Sequence, residues 1–195
     1  MEVLALNEMD AIISSMPQDD GKQWFVMRDL TRNNAKLPAY RMLDNLKIEC
    51  FTPMVSKIVT CHGIRERREV PYMHDLLFAH DTREVLDPIV ERIPTFQYRY
   101  LRRTYRVPMT VRNEDMERFL RAVQSVESPR YYRPEEITPA MYRNRIRIIG
   151  GTLDGYEGFL LTMRGSKVKR LLVELPSLLA ASVEVEPEYI ELLQD

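Results

Sequence analysis

What the chain lacks narrows it first. Nowhere in its 195 residues is there an apolar run near the ~20 residues that a membrane helix needs. The N-terminus has no secretory layout: Met1–Leu6 is apolar but short, and Glu2 stands where a basic residue would be expected. Cys50 and Cys61 are the two cysteines present, too few for a disulfide framework. These absences lead to the expectation of a cytoplasmic protein with no membrane partner. Chemical signatures are missing as well. His62, His74 and His80, taken with the cysteines, match neither C-x2-C nor H-E-x-x-H, so neither metal nor cofactor is expected. Gly150-Gly151 with Gly155 has no Lys-Ser/Thr behind it, and it precedes a strand where a phosphate loop precedes a helix. No nucleophile stands beside a base in sequence, and no enzyme is expected.

What is present is ordinary in amount and uneven in placement. Hydrophobic residues make up 45% and charged residues 29%, as in a soluble globular protein. The length suits one full domain plus a small second one, since domains usually run about 100–150 residues. Residues 1–20 hold Glu2, Glu8, Asp10, Asp19 and Asp20 and neither Lys nor Arg. Setting those five carboxylates aside turns the net charge of −1 into +4 for the rest. A mildly basic body is compatible with a nucleic-acid partner, and equally with plain solvation.

Residues 1–21 read as a loose leader that closes in turn chemistry, Ser-Ser-Met-Pro-Gln-Asp-Asp-Gly. Residues 22–126 alternate strand and helix signals, predicting one α+β unit with an antiparallel sheet flanked by helices. Gln23–Arg28 is an aromatic and β-branched strand, and Thr31–Leu46 a helix whose regular part begins near Leu37 with Pro38 in its first turn. Ile48–Val59 is a strand broken at Pro53, Thr60–Glu69 an exposed hairpin tip, and Val70–His80 a further strand. Thr82–Arg92 reads as a short helix and Gln97–Arg106 as a strand. The clearest helix follows, with Asn113 as its cap, Glu114 and Asp115 in the first turn, and Met116, Phe119, Leu120 and Val123 on one face. Residues 127–142 hold three prolines and no periodicity, as a linker does. Residues 143–195 are short strands separated by Gly or Pro, which fits a small closed or nearly closed β-barrel.

The most specific local pattern is Arg145-Ile146-Arg147-Ile148-Ile149-Gly150-Gly151, followed by Gly155 and Gly158. Ile146 and Ile148 face one way on a period of two, and the glycines supply turn angles that a side chain would forbid. This segment resembles the KOW motif. Upstream, Trp24-Phe25-Val26-Met27-Arg28 leads into a helix and then into Ile48-Glu49-Cys50-Phe51-Thr52-Pro53, which is similar to the opening of the NusG N-terminal domain. Val70–Ala79 sits where that family carries an aromatic-Pro-Gly/Asn strand. Pro108-Met109 with Val111 and the Met116/Phe119 helix resembles the end of the same domain in the UpxY branch, the capsule-operon antitermination factors of Bacteroides-like bacteria. The resemblance runs in order through nearly the whole chain after residue 22. His74-Asp75 departs from the family's Pro-Gly or Pro-Asn. Ser177 lies near the place where housekeeping members carry an aromatic that docks ribosomal or termination-factor partners, which argues against those partners here and for a specialised paralogue.

The resemblance implies a transcription elongation and antitermination factor that seats on the clamp of RNA polymerase's largest subunit and suppresses pausing or termination. It points to Tyr72, Met73, Leu76 and Phe78, with Arg28 beside them, as polymerase-binding residues. The alternation of Leu76 and Phe78 equally fits core positions. Tyr98–Arg106 interleaves Arg99, Arg102, Arg103 and Arg106 with tyrosines, a pattern able to neutralise phosphates and stack bases of the non-template DNA strand or nascent RNA. The same run also fits a solvated strand along which arginines lie flat. A second functional class stays open, a ribosome- or RNA-binding KOW protein with no polymerase contact.

Overall fold

The computed structural model describes residues 21–32, 35–61, 64–162 and 167–193. The acidic leader, apart from Gly21, and His62 lie outside the described residues.

Strand β1 (Gln23–Asp29) organises the first half, because its apolar residues are buried on both faces. It pairs antiparallel with β5 (Leu77–Asp81), β6 (Phe96–Tyr98) and β7 (Thr110–Val111), and β2 (Glu49–Phe51) flanks β5. On one face Phe25 and Met27 join Leu77, Ala79, Phe96 and Tyr98 in a core with Leu43 of helix α1 (Ala39–Asn45) and Leu86 of helix α2 (Arg83–Arg92). On the other face Trp24 and Val26 meet helix α3 (Asn113–Gln124). The buried carboxylate of Asp29 closes β1 and opens α1. It accepts from the Ala39 amide at 2.8 Å and from both Thr31 donors, satisfying an otherwise orphaned helix N–H.

The second half is one six-stranded antiparallel sheet, in the order β13 (Ile190–Leu192), β9 (Arg145–Ile148), β10 (Glu157–Thr162), β11 (Lys169–Leu175), β12 (Leu179–Val185), β8 (Arg130–Tyr132). Ile146 and Ile148 are buried while Arg145 and Arg147 face out, as the period of two predicts. The glycines of this hairpin serve two purposes. Gly150 and Gly155 take φ of +95° and +76°, and Gly151 lies under the Tyr189 ring. Gly158 is needed for space, since a β-carbon there would collide with the Leu172 carbonyl oxygen and the Leu171 side chain.

Helix α3 joins the halves. Its stripe Met116, Phe119, Ala122 and Val123 is buried, and it contacts β1 on one side and β11 and β12 on the other. A single hydrophobic core therefore runs from Trp24, Val26 and Phe78 through α3 to Ile146, Leu171 and Val183. Arg118 fixes the orientation: it donates to the Glu157 carbonyl at 2.8 Å, lies over the Tyr156 ring, and receives the Tyr156 hydroxyl on its own carbonyl.

Several expectations change. The barrel is not closed by hydrogen bonds among the described residues, because β8 occupies the β12 edge that β13 would need. That strand comes from residues 127–142, expected as a linker; Tyr131 is buried in the shared core and draws the segment into the sheet. Val70–His80 is two strands, because β4 (Ile64–Pro71) pairs with β3 (Met54–Cys61) in a separate two-stranded ribbon. The charged Thr60–Glu69 stretch thus lies largely along that ribbon. Helix α1 starts at Ala39 because Pro38 precedes it in extended conformation. Asn113 is the first residue of α3, and its side chain holds the Lys22 carbonyl.

Two substitutions test this arrangement. Phe119→Ala should lower the stability of the whole chain by about 3–5 kcal/mol in chemical denaturation, with both halves melting earlier, because its ring belongs to the shared core. Gly158→Val should cost roughly 1–3 kcal/mol in the same measurement through overpacking against β11.

Candidate nucleic-acid interface

Beyond Tyr98 the expected strand Gln97–Arg106 stops. The chain turns through Leu101–Val107, closed by the Leu101 amide on the Val107 carbonyl and by a single bridge between Tyr100 and Pro108. Arg102, Arg103, Tyr105 and Arg106 form an exposed tip, with the Arg106 guanidinium over the Tyr105 ring. Tyr98 is excluded from any stacking role. It is buried, and its hydroxyl donates to Asp87 at 2.8 Å; burial and that carboxylate push its phenol well above the ordinary range.

The residues assigned to polymerase contact and to nucleic acid meet in one place. Arg28, Arg99 and Arg102 line a cavity of about 650 Å³ together with Tyr100, Met109, Asp75, Ser177 and Leu178. Sheet register explains the convergence. Arg28 lies two residues beyond Val26 on β1, so it continues the face that buries Trp24 and Val26 and is directed toward the second sheet. The Arg99 amide donates to the Val26 carbonyl at 2.8 Å, which holds the arginine-rich turn beside β1. Arg99 approaches Asp75 at 3.5 Å, whereas Arg28 and Arg102 make no ion pair among the described residues.

Two assignments fall. Leu76 and Phe78 are fully buried in the shared core, covered by α3 and the second sheet, and cannot contact a partner. Tyr72 and Met73 are half-buried at the edge of that core. The Tyr72 ring lies 6.0 Å from that of Tyr131, and its hydroxyl donates to Glu136.

No family model matches the chain, and no curated protein does. Several solved structures resemble it. NusG from Thermotoga maritima, solved for its domain interaction, is similar over 89% of this chain and 98% of that chain, with 12% identity and a TM-score of 0.44.

No helix among the described residues is long and apolar enough to cross a membrane, and no three His, Cys, Asp or Glu side chains gather there as a metal site. Cys50 donates to the Tyr40 carbonyl, and burial pushes its thiol up to about 11, so it stays protonated near neutrality. Ser177, Asp75 and Glu136 entered no expectation from sequence about this cavity or Tyr72. Each reaches its place from a remote part of the chain.

The Tyr72–Glu136 contact has a definite pH signature. Burial first, then the Glu136 hydrogen bond and charge, push the Tyr72 phenol from 10.0 up to about 12, while the same bond holds Glu136 below the usual carboxylate range. The phenol's contribution to stability is complete below pH 10 and fades as pH rises through about 12. The carboxylate's contribution is present above its unfolded value and fades as acid protonates it. In an ultraviolet titration of phenolates, Glu136→Gln should move the Tyr72 ionisation part of the way back toward 10, with Tyr72→Phe identifying the signal.

Proposed function

We propose that this chain is a NusG-type transcription elongation and antitermination factor that acts without bond chemistry and serves particular operons. It seats on the clamp of RNA polymerase and contacts a nucleic-acid strand of the transcription complex. Binding energy then favours the closed, elongating state over the paused one, which is a shift of populations. The observation that carries the reading is the exposed Arg102–Arg106 tip beside the arginine-lined cavity, with Tyr100 and Tyr105 available for stacking. It joins the ordered resemblance of residues after 22 to the NusG N-terminal and KOW domains.

Tyr72 and Met73 remain the candidates for the polymerase contact, with Leu76 and Phe78 withdrawn. Because the Tyr72 hydroxyl is held by Glu136, a partner using that hydroxyl must displace the Glu136 carboxylate. Core RNA polymerase should be retained by the immobilised chain, and terminator run-through in vitro should rise when the chain is added. Tyr72→Ala with Met73→Ala should remove both effects. Failure to retain polymerase would leave the RNA-binding alternative and remove this one.

A further inference from the structure

Three guanidinium groups share the cavity of about 650 Å³, against one carboxylate, Asp75. That carboxylate lies 3.5 Å from Arg99 and is nearly half exposed, so it offsets little of the positive charge. The second sheet contributes the turn between β11 and β12, where Ser177 and Leu178 form the opposite wall without an acid. Arg28 and Arg99 are partly withdrawn from water and Arg102 is exposed beside them; like charges gathered in a concave site repel one another unless an anion joins them. Planar guanidinium forks suit phosphate oxygens in particular.

Backbone conformation marks the same place. Among the described residues, the non-glycine positions with positive φ are Lys47, Arg103, Arg106 and Ser177. Ser177 stands in the cavity wall, and Arg103 and Arg106 belong to the exposed turn that carries Arg102. Such conformations are uncommon for residues with a side chain and concentrate where a binding geometry is being held. A cavity of this size accommodates one or two nucleotides. Tyr100, in its lining and 43% exposed, is the aromatic there on which a base can stack.

We propose that the Arg28–Arg99–Arg102 cavity, completed by the Ser177 turn of the second sheet, binds the backbone phosphates of a single-stranded polynucleotide, with Tyr100 stacking on a base. Arg28 is thereby reassigned from polymerase to phosphate. The site is composite, so a bound strand also fastens the two halves together. The proposal deepens the nucleic-acid contact of the function above and rests on that reading only for the source of the strand.

Fluorescence anisotropy of the full chain with labelled oligothymidine and oligouridine tests it. Arg28→Gln and Arg102→Gln should each weaken binding roughly fivefold or more, and each should lower the salt dependence by about one phosphate contact. Ser177→Asp is the sharper variant. It sends a negative charge in from the second half, at an exposed position whose φ of +63° aspartate tolerates, and it should weaken binding roughly tenfold. Arg147→Gln, on β9, outside the cavity lining and paired with Glu157, serves as the unchanged control. A preference between the two oligomers assigns the strand to DNA or RNA, and either result supports the site. Wild-type affinity in Ser177→Asp overturns the proposal, even if Arg28→Gln were to misfold. So does equal affinity for duplex DNA. If these variants lose the strand while polymerase is never retained, the site stands and the elongation reading fails. If polymerase is retained and the variants bind the strand normally, the reading stands and the site fails.

Discussion

The burial of α3 between two sheets is the constraint on which the rest depends. An amphipathic helix on a single sheet needs one apolar stripe and leaves its other side to water. Here Met116, Phe119, Ala122 and Val123 form a stripe wide enough to meet β1 on one side and β11 and β12 on the other. Each large buried side chain contributes roughly 1.5–3 kcal/mol, so separating the halves would expose several at once. The contacts of Arg118 with the Glu157 carbonyl and the Tyr156 ring add direction to that adhesion by tying α3 to the start of β10.

Once that docking is fixed, the fates of the conspicuous residues follow. The face of β1 and β5 beneath α3 is closed, which buries Phe78 and leaves Tyr72 and Met73 at a margin. Segment 130–136 lies against this margin, with Tyr131 in the core and Glu136 on the Tyr72 hydroxyl. At the other end of β1 the apolar face runs out at Arg28, and the β11–β12 turn arrives opposite it. A cation at the end of a hydrophobic stripe costs little while one side stays wet. Closing the other side with a turn that lacks acids leaves three guanidinium groups facing one carboxylate, Asp75.

Alternation carried most of what could be read in the sequence. Trp24, Phe25, Val26 and Met27 are apolar in succession because β1 is covered on both faces, and Ile146 and Ile148 alternate with arginine because β9 is covered on one. Those patterns are local and survive translation into structure. What failed was non-local. Nothing near Tyr131 reveals that β12 has an open edge for it, and three neighbouring prolines argue for a linker. Leu76 and Phe78 are buried in a core shared with α3 and the second sheet, which lie far along the chain from them. The arginine run was legible as a composition, but its reversal after Tyr98 was not, since Arg103 and Arg106 adopt left-handed backbone that residue type does not signal.

Residues in unfavourable backbone conformations persist when surrounding packing over-determines them, and the packing here is supplied by two parts of the chain at once. Arg103 and Arg106 hold left-handed backbone in the turn of the first half that carries Arg102, and Ser177 does so in the cavity wall on the second. Docking of the second sheet onto α3 brings the two together, and the apolar contact that stabilises the fold also sets the width of the charged site beside it. Mutations in the α3 stripe should therefore act on the cavity through its walls, without touching any arginine. In this molecule the hydrophobic seam and the polar site are two ends of the same interface.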